Sequence, residues 1–133
     1  VQAVIVGIAF ISLIVGGIGI TNTMYTAVLE RTKEIGIMKS IGARNSDIFK
    51  MFFIESGLLG MAGGLIGVVL GISFSKLVEI AVATTGNTFL KAAFPLYLIV
   101  GALMFAFFVG AISGVMPAIR ASKLKPVDAL RYE

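Results

Sequence analysis

The side chains able to do chemistry are few and gathered in one place. From Glu30 to Arg44 the chain reads Glu-Arg-Thr-Lys-Glu-Ile-Gly-Ile-Met-Lys-Ser-Ile-Gly-Ala-Arg, and Asn45, Asp47, Lys50 and Glu55 follow closely. None of this is a set for breaking bonds. Histidine and cysteine are both absent, which removes the commonest general base, the commonest metal ligand and any thiolate nucleophile. There is no GxxxxGKS/T loop to cradle phosphates, no HExxH and no GxSxG. No catalytic residue, metal site or resident cofactor is therefore expected. What remains is the chemistry of recognition. Ile37, Met38 and Ile41 recur at helical spacing, with Ile35 near the edge of that stripe, and Arg31, Lys33, Glu34 and Lys39 form the polar complement. Such a helix can fill a groove on a partner, with Arg31, Glu34 and Arg44 setting register at the rim. It can equally lie in the headgroup layer. Both fit the spacing.

The elements that hold this segment are apolar. Runs 1–29, 56–75 and 92–119 contain no Asp, Glu, Lys or Arg. A bilayer core about 30 Å thick is crossed by roughly 20 apolar residues in helix. Hydrophobic residues make up 58% of the chain and mean hydropathy is +1.03, outside the range of ordinary soluble domains. In lipid the backbone must satisfy itself, so these runs predict helices. The short alternating segments of a membrane barrel are missing. The expected fold is all-α: a polytopic bundle with spans over about 3–29, 52–80 and 95–119, a short cytoplasmic helix within segment 30–50, and a tail over 120–133. The first run exceeds the roughly 7–15 residues of a signal-peptide core. The chain opens on Val1, already apolar, and reads as a fragment cut upstream of its first span.

Punctuation within these elements is legible. Gly42 suits the left-handed stop of a helix. Asn45 or Ser46 can cap the next one, with Asp47 in its first turn. Glu55, at the edge of span two, can pair with Lys50 or Arg31. Asn22 is polar within an apolar helix and is expected to face protein. Gly60/Gly64, Gly63/Gly67 and Gly67/Gly71 form overlapping GxxxG pairs in span two, and Gly110/Gly114 another in span three. Small residues four apart let helices approach closely. Pro95 suits a first turn, and Pro117 removes a helical hydrogen bond near Ser113, which predicts a kink or an end there. Asn87-Thr88-Phe89 lacks the third residue of a glycosylation acceptor.

Charge predicts the orientation. Segment 30–55 holds five basic residues and the tail 120–133 four, against two in the connection 76–91. Basic residues favour the cytoplasmic side. The helical segment and the C-terminus are thus expected inside, and the N-terminus of the chain outside. The net charge of +4 is accounted for by topology and anionic headgroups, with no nucleic-acid partner required. A channel or secondary carrier would need polar groups at mid-depth, where only Ser12, Asn22 and a few hydroxyls stand.

Two stretches carry a resemblance. Glu30-Arg31-Thr32-Lys33-Glu34-Ile35-Gly36 with Gly42-Ala43-Arg44, and the ending Pro126-Val127-Asp128-Ala129-Leu130-Arg131-Tyr132-Glu133, are similar to the MacB/FtsX-like permeases, the membrane subunits of type VII ABC transporters. The match covers the whole chain, including span order. It departs at Lys125, where the family often has an acidic residue, and at Asp128, where it often has Glu. The resemblance implies four spans with a large extracytoplasmic domain between the first and second, of which this chain would be the last three. It implies a coupling helix (Arg31, Glu34, Ile35, Ile37, Met38, Ile41, Gly42, Arg44) docked on a separate ABC ATPase subunit that binds the ATP, and a second permease copy, identical or paralogous. It implies a multi-pass protein of the plasma membrane that couples ATP hydrolysis to export or mechanotransmission. FtsX-like members suggest an alternative, a signalling subunit that regulates an enzyme on the outer side.

Overall fold

The computed structural model describes residues 1–84, 94–125 and 127. Five helices occur among them: α1 (Gln2–Glu30), α2 (Thr32–Ser40), α3 (Asn45–Ala83), α4 (Leu96–Ser113) and α5 (Val115–Ser122). Three of these, α1, α3 and α4, are long and apolar enough to cross a membrane. The connection carrying Asn87, Thr88 and Lys91, and the tail residues Asp128, Arg131 and Tyr132, lie outside the described residues.

Helix α3 has 39 residues, which at about 1.5 Å per residue is nearly twice the hydrocarbon thickness. Its uncharged stretch, 56–75, is the part that matches a bilayer. The charged residues Asp47, Lys50 and Glu55 lie before it, and Lys76 and Glu79 after it. The helix starts one residue earlier than the sequence suggests. Its N-cap is Arg44, in extended conformation, and the Asp47 carboxylate accepts from the Arg44 backbone N–H at 3.1 Å. Asp47 thus satisfies an amide and also meets the positive end of the helix dipole.

Span three is shorter than the expected 95–119. Its helix ends at Ser113, Gly114 makes the joint, and α5 continues as a separate helix. The cause is Pro117, which has no N–H to offer the Ser113 carbonyl. Within α5 it is the third residue, where a missing N–H costs nothing.

Packing among the spans is tight at one end only. Helices α3 and α4 close on glycine. A Cβ built on Gly60 would lie 2.8 Å from the Gly110 Cα and would strike the Ala106 carbonyl oxygen; one on Gly110 would lie 2.6 Å from the Ser56 carbonyl oxygen. Gly64 meets Ala106, and Gly114 meets the Ser56 side chain. Gly63, Gly67 and Gly71, expected in the same packing face, have open space around them. The buried or half-buried line runs instead from Gly60 and Gly64 through Val68 and Ile72, and Gly63, Gly67 and Gly71 each lie one residue before it, turned about 100° away from α4. Gly57, absent from the expected set, is the position where Phe107 packs against bare backbone. Helix α1 is exposed on all sides through Gly16 and joins the bundle only below that point. Asn22 is exposed, turned away from this chain's own helices. The cross-helix hydrogen bond comes one residue earlier, from Thr21.

The buried core lies at the end where α1, α2, α3 and α5 converge. Met24 and Val28 come from α1, Ile35 from α2, Ile48 and Phe52 from α3, and Ala118 and Ala121 from α5. This end carries segment 30–55 and the start of the tail.

Candidate functional site

The charged segment is built as a bend in one rod. Arg31 is both the last cap of α1 and the first cap of α2, at φ −98° and ψ 13°. Hydrogen bonding barely breaks there: the Arg31 N–H donates to the Ala27 carbonyl and the Ile35 N–H to the Arg31 carbonyl, both at 3.0 Å. The Thr32 hydroxyl donates to the carbonyls of Val28 and Leu29, each at 2.9 Å, adding a side-chain bond across the bend. No flexible loop separates span one from the helix that follows it.

The far end of α2 is closed by Gly42 at φ 105°, the left-handed conformation that a side chain resists. The Gly42 N–H reaches the Lys39 carbonyl and the Ala43 N–H the Met38 carbonyl, at 3.1 and 3.0 Å. This pair of bonds is the Schellman stop. Ala43 and Met38, the two positions that flank such a stop, both pack against the core.

The two faces of α2 are unlike. Ile35 is wholly buried, Gly36 is buried, and Met38 and Lys39 are half-buried. On the other side, Lys33, Glu34, Ile37, Ser40 and Ile41 are exposed. Ile41 is 81% exposed and Ile37 47%. The stripe is therefore split relative to the sequence expectation. Ile35 is the innermost residue of the helix and not its edge, and Met38 leans inward, so Ile37 and Ile41 alone are presented. Arg44 is exposed beyond the turn.

Three side chains tie this helix to its neighbours. Ile35 keys it into the core. The Arg31 guanidinium meets Glu55 on α3, with Nη1 to Oε1 at 3.1 Å, which selects Arg31 over Lys50 as the partner of Glu55. The Lys39 ammonium donates to the carbonyls of Ser122 (2.5 Å) and Leu124 (2.7 Å) at the end of α5. Burial pushes the Lys39 ammonium below the usual lysine range. Sequence spacing places Lys39 in the polar complement of the apolar stripe, whereas the structure turns it inward. Its contact partners lie 83 and 85 residues away, beyond the reach of any local pattern.

Beside the bend, Tyr25, Val28, Thr32, Lys33, Arg120 and Leu124 line a cavity of about 480 Å³. The Arg120 guanidinium lies 5.5 Å from the Tyr25 ring centre, a cation–π distance.

Residues 6–126 match the FtsX-like permease C-terminal family. An uncharacterized ABC transporter permease of Methanocaldococcus jannaschii is 47% identical over 129 residues, which cover 97% of this chain and 32% of that protein. The macrolide export ATP-binding/permease protein MacB of Bdellovibrio bacteriovorus is 47% identical over 126 residues, covering 95% of this chain and 18% of its own length. The uncharacterized ABC transporter permease YknZ of Bacillus subtilis is 43% identical over 134 residues, covering 100% of this chain and 32% of its own. The chain thus spans a third or less of the curated relatives it matches. Three apolar spans and permease relatives make this a multi-pass membrane protein, and its sequence, from the bend at Arg31 to the small helix α5, belongs to the FtsX-like permease family, whose C-terminal domain it represents.

Proposed function

We propose that this chain is the membrane-spanning part of an ABC transporter permease, and that the exposed face of α2 docks on a cytoplasmic ATP-binding cassette ATPase. One observation carries the reading. Ile37 and Ile41 are presented outward on a helix whose opposite face is locked by Ile35, so the apolar pair is offered by a rigid support. Glu34, Lys33 and Arg44 surround it with charges that can set register. A headgroup-bound helix would need only an amphipathic stripe; it would not need to be bonded into three other helices. The relatives support the same context, since MacB is by name both ATP-binding and permease.

In this reading ATP is bound by the ATPase and not by this chain. Motion enters at α2 and passes through the bend at Arg31 into α1 as one continuous rod, toward an extracytoplasmic side. A second permease copy completes the assembly. The segment around α2 and the C-terminus face the cytoplasm, by the distribution of basic residues, and the membrane is the plasma membrane.

The test is co-purification of the permease with its ATPase. Ile37→Asp, alone or with Ile41→Asp, is expected to abolish association while leaving insertion and folding intact, because both side chains are exposed. Ile35→Ala is expected to lower the melting temperature first, at a cost of about 2–5 kcal/mol for a buried truncation. Undiminished recovery of the ATPase with Ile37→Asp/Ile41→Asp would sink the docking reading.

A further inference from the structure

Among the described residues, Lys39 is the side chain of helix α2 that is hydrogen-bonded to the end of span three, and the bond has an unusual form. Among the described residues Lys39 pairs with no carboxylate. Its ammonium grips two main-chain carbonyls, those of Ser122 and Leu124. These lie past the last backbone donors of α5: the Lys123 N–H goes to Ile119 and Arg120, and the Leu124 N–H to Ala121. Carbonyls at a helix end lack intrahelical partners, and a cation there meets the negative end of the helix dipole. Lys123 and Lys125 line the same cleft as Lys39, and the carbonyl dipoles of Ser122 and Leu124 hold the ammonium beside that like charge. Its lowered pKa agrees with a position drawn away from water.

The other polar tie of α2, Arg31 to Glu55, joins two side chains that are 48% and 33% exposed. Pairs of that kind are screened and weak. A grip on main chain differs in kind, because on the α5 side the ammonium holds backbone directly, with no acceptor side chain to relax. Helix α5 is joined to α4 at Gly114, where Pro117 has removed the continuous ladder.

We propose that Lys39 is a positioning residue, a strap that makes α5 follow α2, so that span three moves with the docked ATPase as well as span one. The proposal rests on the docking reading above. The ATPase touches the outward face of α2, and the strap leaves from the opposite face, so the two can be separated by experiment.

The test uses the full-length permease in nanodiscs with its ATPase, with spin labels at Lys50→Cys on α3 and Lys123→Cys after α5. In the unsubstituted background, ATP is expected to change the distance between the labels. Lys39→Met is expected to keep ATPase association and ATP turnover and to lose that distance change. Lys39→Arg, which restores cationic donors, is expected to recover it. A full ATP-driven change in Lys39→Met overturns the strap. So does loss of ATPase association in Lys39→Met with Lys39→Arg normal, since Lys39 would then belong to the docking contact. Hydrogen exchange provides a measure that needs no variant at Lys39: ATPase binding should slow exchange of the α5 amides, and an α5 indifferent to the ATPase overturns the proposal. Failure of the unsubstituted permease to bind the ATPase at all would instead remove the docking reading, and the strap with it.

Discussion

The Thr21 hydroxyl donates to the Ser113 carbonyl at 2.7 Å, the carbonyl that Pro117 leaves without a helical donor. A defect in one helix is thus satisfied by a side chain of another. Thr21 also contacts its own Gly17 carbonyl at 3.0 Å, so the hydroxyl sits where span one and the α4–α5 joint meet.

Thr21→Val keeps shape and removes the donor. Leaving a buried acceptor bare costs about 1–3 kcal/mol, and interhelical bonds in membrane proteins average about 0.6 kcal/mol, so a loss near 1 kcal/mol is expected in detergent unfolding. Pro117→Ala returns an N–H to the Ser113 carbonyl. In the double variant Thr21→Val should cost less than it does alone; strictly additive losses would show that the two are not linked.

Gly60→Leu should separate α3 from α4, because even a Cβ at Gly60 meets main chain of α4. Overpacking of this kind costs about 1–3 kcal/mol or more. Gly67→Leu, placed in open space, should leave the melting temperature of the isolated chain unchanged. Equal effects at the two positions would contradict the packing described for α3 and α4.

Arg31 and Glu55 should be coupled weakly. An exposed pair contributes about 0.2–1 kcal/mol, and a double-mutant cycle with Arg31→Gln and Glu55→Gln should give a value in that range that shrinks as salt is added. A coupling that ignores salt would require a drier pair than the one described.

Orientation is checked with Ser40→Cys, at an exposed position on α2. A membrane-impermeant maleimide should label it in inverted vesicles and spare it in intact cells. Labelling from outside intact cells would reverse the topology inferred from the basic residues.

Much of this architecture was readable from residue types, and the reasons differ by element. The spans were legible because an uncharged run of bilayer length has few alternatives. Gly42 was legible because a left-handed stop is a local demand. Pro117 announced an interruption near Ser113, but the donor that satisfies the freed carbonyl is Thr21, 92 residues away. The glycine repeats were visible as a pattern, yet of the glycines in those repeats only Gly60, Gly64, Gly110 and Gly114 meet a neighbour, since crossing helices touch over a limited length. The split of the α2 stripe into Ile35 inside and Ile37 and Ile41 outside was hidden for a similar reason. All are isoleucine, and only the positions of α3 and α5 decide which one is covered. Lys39 was the least legible, because nothing in its neighbourhood distinguishes a main-chain grip from a solvated lysine.

The burial of Ile35 also fixes the length of α2. One added residue anywhere between Arg31 and Ile35 would turn everything after it by about 100°, carrying Ile35 out of its socket and Lys39 away from α5. Substitution at the outward positions leaves this packing in place, whereas an insertion or deletion does not. In this protein the stretch that looks most like a surface segment is the one least able to change its count of residues.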